Sequence, residues 1–282
     1  MQSEQLEPIT TDIHFNSNID YTLDQTTSSY TVINRHNYMD RLHGFWLGQS
    51  IGNWTGLVTE MDKIGGPGPH GDFYTREDWG KPDQPAIWGE GKASDLSPSI
   101  DFVFRGENEI WGADDDTDLE YMYQFALFKN QTSLLTAEQI KTAWIDHIYD
   151  EKKVTPYGKD NEVYQNYLWV SNQRAHELML EGMLPPHTSS PENNLHGDMI
   201  DAQLTTEIFG FFAPGHPDVA LKMAALPIRT IASGDAVYAA EFYVILYSLA
   251  ATINTSVSVK DNLHSMLKEA RRLDLDWRRT PH

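Results

Sequence analysis

The chain has 282 residues, which suits one large domain or two small ones, and 40% of its residues are apolar. Its 41 Asp and Glu against 21 Lys and Arg give a formal net charge of −20, which argues against nucleic-acid binding and against an anionic membrane surface. The absence of cysteine excludes disulfide scaffolds, thiolate zinc sites and cysteine nucleophiles.

Residues 1–37 are rich in Thr, Ser, Asn and Asp and are predicted to form an N-terminal arm. They lack the basic flank and apolar core of a signal peptide, which favours a cytoplasmic location. Over residues 38–282 we predict a helical domain, because apolar residues recur at helical spacing from its start. Gly44, Gly48 and Gly52 stand four residues apart on the first helix, a spacing that suits the close approach of another backbone or of a ligand.

A long loop is predicted over residues 62–112, which hold 9 of the 19 glycines, 5 of the 14 prolines and three tryptophans. Loops of this length are uncommon in compact domains, and the aromatic content favours an ordered loop that covers something. A succession of helices follows and convincing strands are nearly absent, so the fold class is all-α. The predicted helices span residues 116–129, 137–149, 161–181, 199–212, 217–229, 235–252 and 259–273.

Two of these helices carry informative local signals. Pro217 stands at a first helical position, which its fixed backbone angle suits. Residues 236–253 are apolar enough to approach membrane-spanning length, but Glu241 interrupts the run. The run therefore favours a buried helix of a soluble bundle, and no membrane partner is expected.

The clearest functional signal is the acidic run Asp114-Asp115-Asp116 at the start of a predicted helix. Adjacent carboxylates repel one another, and a hard divalent cation such as Mg²⁺ or Ca²⁺ would relieve that repulsion. Residues 101–124 hold eight acids against one base, which is a field that attracts cations. A solvated helix cap explains the same run, and both interpretations stay open.

Two further polar segments begin predicted helices. Asp201 follows His196-Gly197 and opens an apolar helix, where a cap is its commoner role. Ser233-Gly234-Asp235 precedes another helix, whose N-terminal N–H groups can bind a phosphate or a hydroxyl, although a plain cap is equally compatible.

Taken in order, five segments over residues 38–272 resemble the ADP-ribosylglycohydrolase family. The resemblance implies a compact all-α domain with one or two Mg²⁺ ions, for which Mn²⁺ or Ca²⁺ could substitute. It also implies hydrolysis of an ADP-ribosyl or related ribofuranosyl bond by a metal-activated water, on a small-molecule or protein-linked substrate. The five segments are Gly44–Gly52, Asp114–Thr117, Gly197–Gln203, Phe211–Pro217 and Ser233–Tyr238.

The resemblance also implies roles for individual residues. Asp114, Asp115 and Asp116 fall on the metal-ligand run, with Asp114 in place of the family's Thr. Asp115, Asp116 and Glu60 are the predicted catalytic residues. The predicted substrate-binding residues are Asn53, Asp201, Gln203, Ser233, Gly234, Asp235 and Tyr238.

Two departures from the family pattern stand out. Gln49 replaces the Asp of a usual Gly-Asp-x-x-Gly motif, and Glu60 could serve as the acid that follows it only with a four-residue offset. A late Asp-x-Asp-Thr motif is not found, since Asp274-Leu275-Asp276 is followed by Trp277 and lies among arginines. The abrupt ending at His282 favours a fragment of a longer protein.

The leading hypothesis is therefore a Mg²⁺-dependent glycoside hydrolase. The two departures favour an alternative, a catalytically inactive module of the same fold that binds a nucleotide or a sugar. A structural Ca²⁺-binding helical protein is a third and weaker option. The oligomeric state is not indicated by any feature of the sequence.

Overall fold

The computed structural model describes residues 33–56, 81, 115–148, 168 and 170–273. These residues form α-helices joined by turns, with no strand among them, which confirms the predicted all-α class. A 3₁₀ turn spans His187–Ser189. The helices are α1 (Arg35–Gly56), α2 (Asp115–Asn130), α3 (Ala137–His147), α4 (Val170–Leu180), α5 (Asp201–Thr205), α6 (Ile208–Phe212), α7 (Pro217–Ile231), α8 (Asp235–Ala250) and α9 (Val259–Leu273).

Local sequence signals set several helix ends. Helix α7 begins with Pro217 at its first position, as predicted. Helix α3 begins with a capping box in which Thr136 and Gln139 exchange side-chain to backbone hydrogen bonds. Helix α1 begins at Arg35, inside the segment predicted as an arm. The Gly-, Pro- and Trp-rich segment 62–112 lies outside the described residues except for Lys81.

The single helix predicted over residues 199–212 is wrong, because the chain forms two short helices there, α5 and α6. The hydroxyls of Thr205 and Thr206 donate back to carbonyls four residues earlier, at 3.0 and 2.6 Å, a contact that bends helices. Thr206 then leaves the helical conformation, with φ −128° and ψ −1°. The N–H of Ile208 donates to Glu120 Oε1 at 3.1 Å. A side chain of α2 thus provides the acceptor for this backbone N–H at the break.

Helix α8 is the central element, and it packs against α5, α6, α7 and α9. Its approach to α6 is close, because a Cβ at Gly210 would lie 2.5 Å from the carbonyl oxygen of Val244 and 2.6 Å from the amide nitrogen of Ser248. The predicted burial holds for part of this helix: Val244 and Ser248 are fully buried, whereas Tyr238 and Tyr243 are 39% and 38% exposed. None of the described helices is long and apolar enough to cross a membrane.

An aromatic cluster joins α1, α2, α3 and α6. Trp144 and Tyr123 are fully buried, and the indole N–H of Trp144 donates to the Tyr123 hydroxyl at 3.2 Å. The Tyr123 ring lies 5.4 Å from that of Phe209, and Phe45 of α1 lies 4.9 Å from Phe211. These contacts pack α1, α2, α3 and α6 against one another in the core.

The glycine stripe of α1 has a different environment from the one expected. No described atom lies within 4 Å of the positions that Cβ atoms would take at Gly44, Gly48 and Gly52. The close backbone approach predicted from their spacing is therefore not found within the described part of the chain.

Candidate functional site

Asp115 is the first residue of α2, and it is buried, with 5% of its surface exposed. Its Oδ2 accepts a hydrogen bond of 2.8 Å from the side-chain amide of Asn172, which lies on α4 and is 1% exposed. An amide donor of this kind holds the carboxylate in one orientation. Asp116 is half-buried in the next position, while Asp118 is exposed. The acidic run is thus not a wholly solvated cap, because its buried member has a dedicated partner.

Asp201 brings a second helix to the same place. It is the first residue of α5 and is buried. Burial raises the pKa of Asp201, and the negative charge of Asp115 raises it further, while the charge of His196 lowers it. Two predicted residues from different segments, Asp115 and Asp201, are therefore close enough for their charges to interact.

Two oxygens of this group lack partners. Oδ1 of Asn172 and Oδ1 of Asp201 are buried, and neither has a hydrogen-bond partner among the described residues. Buried polar atoms are rarely left unsatisfied, so unpartnered oxygens beside two carboxylates fit an oxygen-binding cation or a water. The described residues contain no complete group of three His, Asp or Glu side chains that could hold a metal. Asp114, the third predicted ligand, lies outside the described residues.

The remaining predicted residues lie on three elements. The amide of Asn53 on α1 donates to the hydroxyl of Thr117 on α2, which ties these helices together beside Asp116. Gln203 is half-buried on α5, and Tyr238 is 39% exposed on α8. Glu60 and the segment Asp274–Asp276 lie outside the described residues.

The segment before α8 contacts the segment before α5. The N–H of Ser233 donates to the carbonyl of Gly197 at 2.7 Å. A Cβ at Gly197 would lie 2.5 Å from the Ser233 hydroxyl, so the two chains touch there. Gly234 takes a positive φ of 59°, which glycine adopts at no steric cost, and both Gly234 and Asp235 are exposed. This contact places an exposed turn next to the chain that leads to Asp201.

A second acidic cluster lies deeper, and sequence reasoning missed most of it. The side-chain nitrogen of Gln49 donates to Oε2 of Glu120 at 2.8 Å and to Oε1 of Glu207 at 3.1 Å. Glu120 is fully buried and Glu207 is 4% exposed. We call Gln49, Glu120 and Glu207 the Gln49 cluster. It joins α1, α2 and the break between α5 and α6.

The carboxyls of the Gln49 cluster are poor acids. Burial raises the pKa of Glu207 to about 7. Burial, together with the negative charge of Glu207, raises the pKa of Glu120 well above its ordinary value. Tyr247 of α8 faces both carboxyls, and burial and their charges raise its pKa to about 12. Burial and the repulsion between the two carboxyls therefore oppose their simultaneous ionisation.

A family model settles what kind of protein carries this site. The ADP-ribosylglycohydrolase model matches residues 34–280, nearly the whole chain. The chain belongs to the ADP-ribosylglycohydrolase family. Membership implies an enzyme that hydrolyses glycosidic bonds, and members of the family generally depend on a divalent metal. No curated protein and no solved structure shows a significant match to this chain.

The site residues that the sequence did not predict have weak local signals. Asn172 is one polar residue of an ordinary helix, and nothing local marks it as a partner of Asp115. Glu120 stands four residues after Asp116, a like-charge spacing on one helix face that is unfavourable without a compensating contact. Glu207 follows two threonines in an otherwise apolar stretch. Those two irregularities were the signals available.

Proposed function

We propose that the chain hydrolyses an ADP-ribosyl or related ribofuranosyl bond with the help of Mg²⁺. The family supports glycosidic-bond hydrolysis. The observation that supports a cation at this site is the pair of buried, unpartnered oxygens on Asn172 and Asp201 beside the carboxylate of Asp115. Hard cations prefer oxygen ligands of these types.

In this proposal, Asp114, Asp115 and Asp116 hold the cation, and Asn172 and Asp201 line the site beside Asp115. A bound Mg²⁺ would orient the ribose hydroxyls and lower the pKa of a water. The amide of Asn172 keeps Asp115 in the orientation that the site needs, through its 2.8 Å hydrogen bond. The negative charges of these acids stabilise the positive charge that develops on the sugar carbon during hydrolysis.

The substrate's other groups would meet the exposed turn beside the site. Ser233 and Gly234 precede α8 and Asp235 begins it, where free N–H groups suit a phosphate or a hydroxyl. Tyr238 of α8, Gln203 of α5 and Asn53 of α1 are proposed to contact the substrate. Glu60 is proposed to act on the water, as the family resemblance implies.

The test uses the full chain, calorimetric titration with Mg²⁺, and an assay for release of ADP-ribose from an ADP-ribosylated protein. We expect Mg²⁺ to bind and ADP-ribose to be released only in its presence. Asp116→Asn should weaken Mg²⁺ binding at least tenfold, because a charged ligand becomes neutral. Asp218→Asn is the matched control, since Asp218 is an exposed acid in the first turn of α7, and it should leave binding unchanged.

Two results would overturn the proposal. Absence of Mg²⁺ binding would refute the metal site. Equal effects of Asp116→Asn and Asp218→Asn on Mg²⁺ binding would show that any negative charge at the start of a helix has the same influence. Binding of ADP-ribose without hydrolysis over long incubation would instead establish the alternative, an inactive nucleotide- or sugar-binding module.

A further inference from the structure

The Gln49 cluster has no assigned role, yet it connects the two segments that carry the candidate site residues. Glu120 lies one helical turn after Asp116 on α2. Ile208 and Glu207 lie at the break that directly follows α5, the helix that begins with Asp201. Along the chain, Glu120 lies four residues after Asp116 and Glu207 lies six residues after Asp201, so the cluster links the two helices that carry these acids.

Glu120 is the centre of this connection, because both of its carboxylate oxygens accept hydrogen bonds from other elements. One oxygen accepts from Gln49 of α1 at 2.8 Å, and the other accepts from the N–H of Ile208 at 3.1 Å. A fully buried carboxylate with a fixed donor on each oxygen cannot rotate or slide without losing one of them. These two hydrogen bonds therefore restrain the rotation of α2 about its axis relative to the break between α5 and α6.

We propose that Glu120 is a positioning residue, which holds the first turn of α2 in register with α5 so that Asp115 and Asp201 face the same ligand. The inference deepens the proposed function and rests on it. Burial of the Glu120 and Glu207 carboxyls destabilises the folded protein. A role in positioning α2 against α5 explains why two acids nevertheless occupy these buried positions. Glu120 itself touches no substrate in this scheme.

The chemistry requires an acid at position 120 rather than an amide. A carboxylate offers two acceptors to the two N–H donors that face it. Glutamine would satisfy Ile208 with its oxygen, but it would turn an N–H group toward the N–H of Gln49. Glu120→Gln therefore keeps the size of the side chain and breaks one link of the register.

The experiment compares three variants of the full chain. Glu120→Gln breaks the link. The double variant Gln49→Glu with Glu120→Gln exchanges amide and acid, so the hydrogen bond between positions 49 and 120 returns with the total charge unchanged. It is measured below the pKa of Glu207, where the protonated Glu207 carboxyl can donate to the acid at position 49 in place of the lost amide donor. Tyr123→Phe is the matched control, because it removes a buried hydrogen bond one turn further along α2 and leaves Glu120 untouched.

Two readouts are measured. Titration calorimetry gives the Mg²⁺ dissociation constant, which we expect to rise about tenfold in Glu120→Gln, to return within about threefold of the wild type in the exchange variant, and to stay within about twofold in Tyr123→Phe. Amide hydrogen exchange without metal should speed up over residues 115–120 and 201–208 in Glu120→Gln alone. If Glu120→Gln fails to fold, Gln49→Met removes the same link from its other side and should show the same exchange pattern.

The outcomes separate the two proposals. Equal exchange rates in Glu120→Gln and the wild type would overturn the positioning role, whatever happens with Mg²⁺. Equal effects of Glu120→Gln and Tyr123→Phe would overturn it as well, because general loosening of α2 would then be sufficient. A wild type that binds no Mg²⁺, with the exchange pattern intact, would overturn the proposed function and leave the register role standing.

Discussion

The buried carboxyl of Glu207 makes the stability of the fold dependent on pH. Its pKa is about 7 in the folded protein against an ordinary value of 4.5. A carboxyl with a raised folded pKa binds more protons when folded, so the free energy of unfolding falls as the pH rises from the lower value through the higher one. Between about pH 5 and about pH 8, this single group costs about 2–3 kcal/mol, from 1.36 kcal/mol for each unit of pKa difference.

Glu207→Gln removes this dependence, because the amide stays neutral and its oxygen can still accept from Gln49. Urea unfolding, followed by circular dichroism across that pH range in the presence of a chelator, gives the free energies. Between the lowest and the highest pH of that range, the free energy of unfolding should fall by about 2–3 kcal/mol less in the variant than in the wild type. Glu138→Gln on the exposed face of α3 is the control and should parallel the wild type. Parallel curves for Glu207→Gln and the wild type would refute a buried, protonated Glu207.

Three further changes test the packing around the site, each by urea or thermal unfolding. Gly210→Ala should lower the free energy of unfolding by at least about 3 kcal/mol, since its methyl would lie 2.5 Å from the Val244 carbonyl oxygen. A loss below about 1 kcal/mol would contradict this close approach. Arg229→Met should lower the free energy of unfolding by about 3–5 kcal/mol, because it removes the 3.0 Å ion pair with buried Glu241. The double variant with Glu241→Gln should recover most of that loss, and no recovery would contradict the role of the ion pair. Arg41→Lys should cost about 1 kcal/mol, because lysine cannot reproduce the fork that donates to two carbonyls after α8 at 2.6 and 2.7 Å, and an unchanged midpoint would show that charge alone suffices.

Local signals in the sequence were sufficient for most helices. Pro217 and the Thr136–Gln139 capping box act within a few residues, so their effect can be predicted without knowledge of the fold. The break between α5 and α6 could not be predicted in this way. It depends on Glu120, which lies 88 residues earlier in the chain and contacts Ile208 only after the helices pack.

The same distinction applies to the site. Asp115 and Asp201 could be named individually, because acids at the starts of helices and the ordered resemblance to the family both point to them. The partner of Asp115, Asn172 on α4, is brought there only by the packing of the helices. Gln49 departs from the family pattern, which the sequence alone shows. Its actual partners, two buried acids on other elements, follow from the fold and not from the pattern around it.

The distances along the chain within the Gln49 cluster have a consequence for synthesis on the ribosome. Gln49 lies 71 residues before Glu120 and 158 residues before Glu207. Until residue 208 has emerged, the nascent α2 carries an acid on its inner face with one of its two donors missing, and α1 and α2 have no α6 to pack against. A five-residue helix such as α6 does not form by itself, so it is completed when α7 and α8 pack against it. The N-terminal helices must therefore wait for most of the domain to be translated, and a nascent chain halted before that point should be a substrate for chaperones.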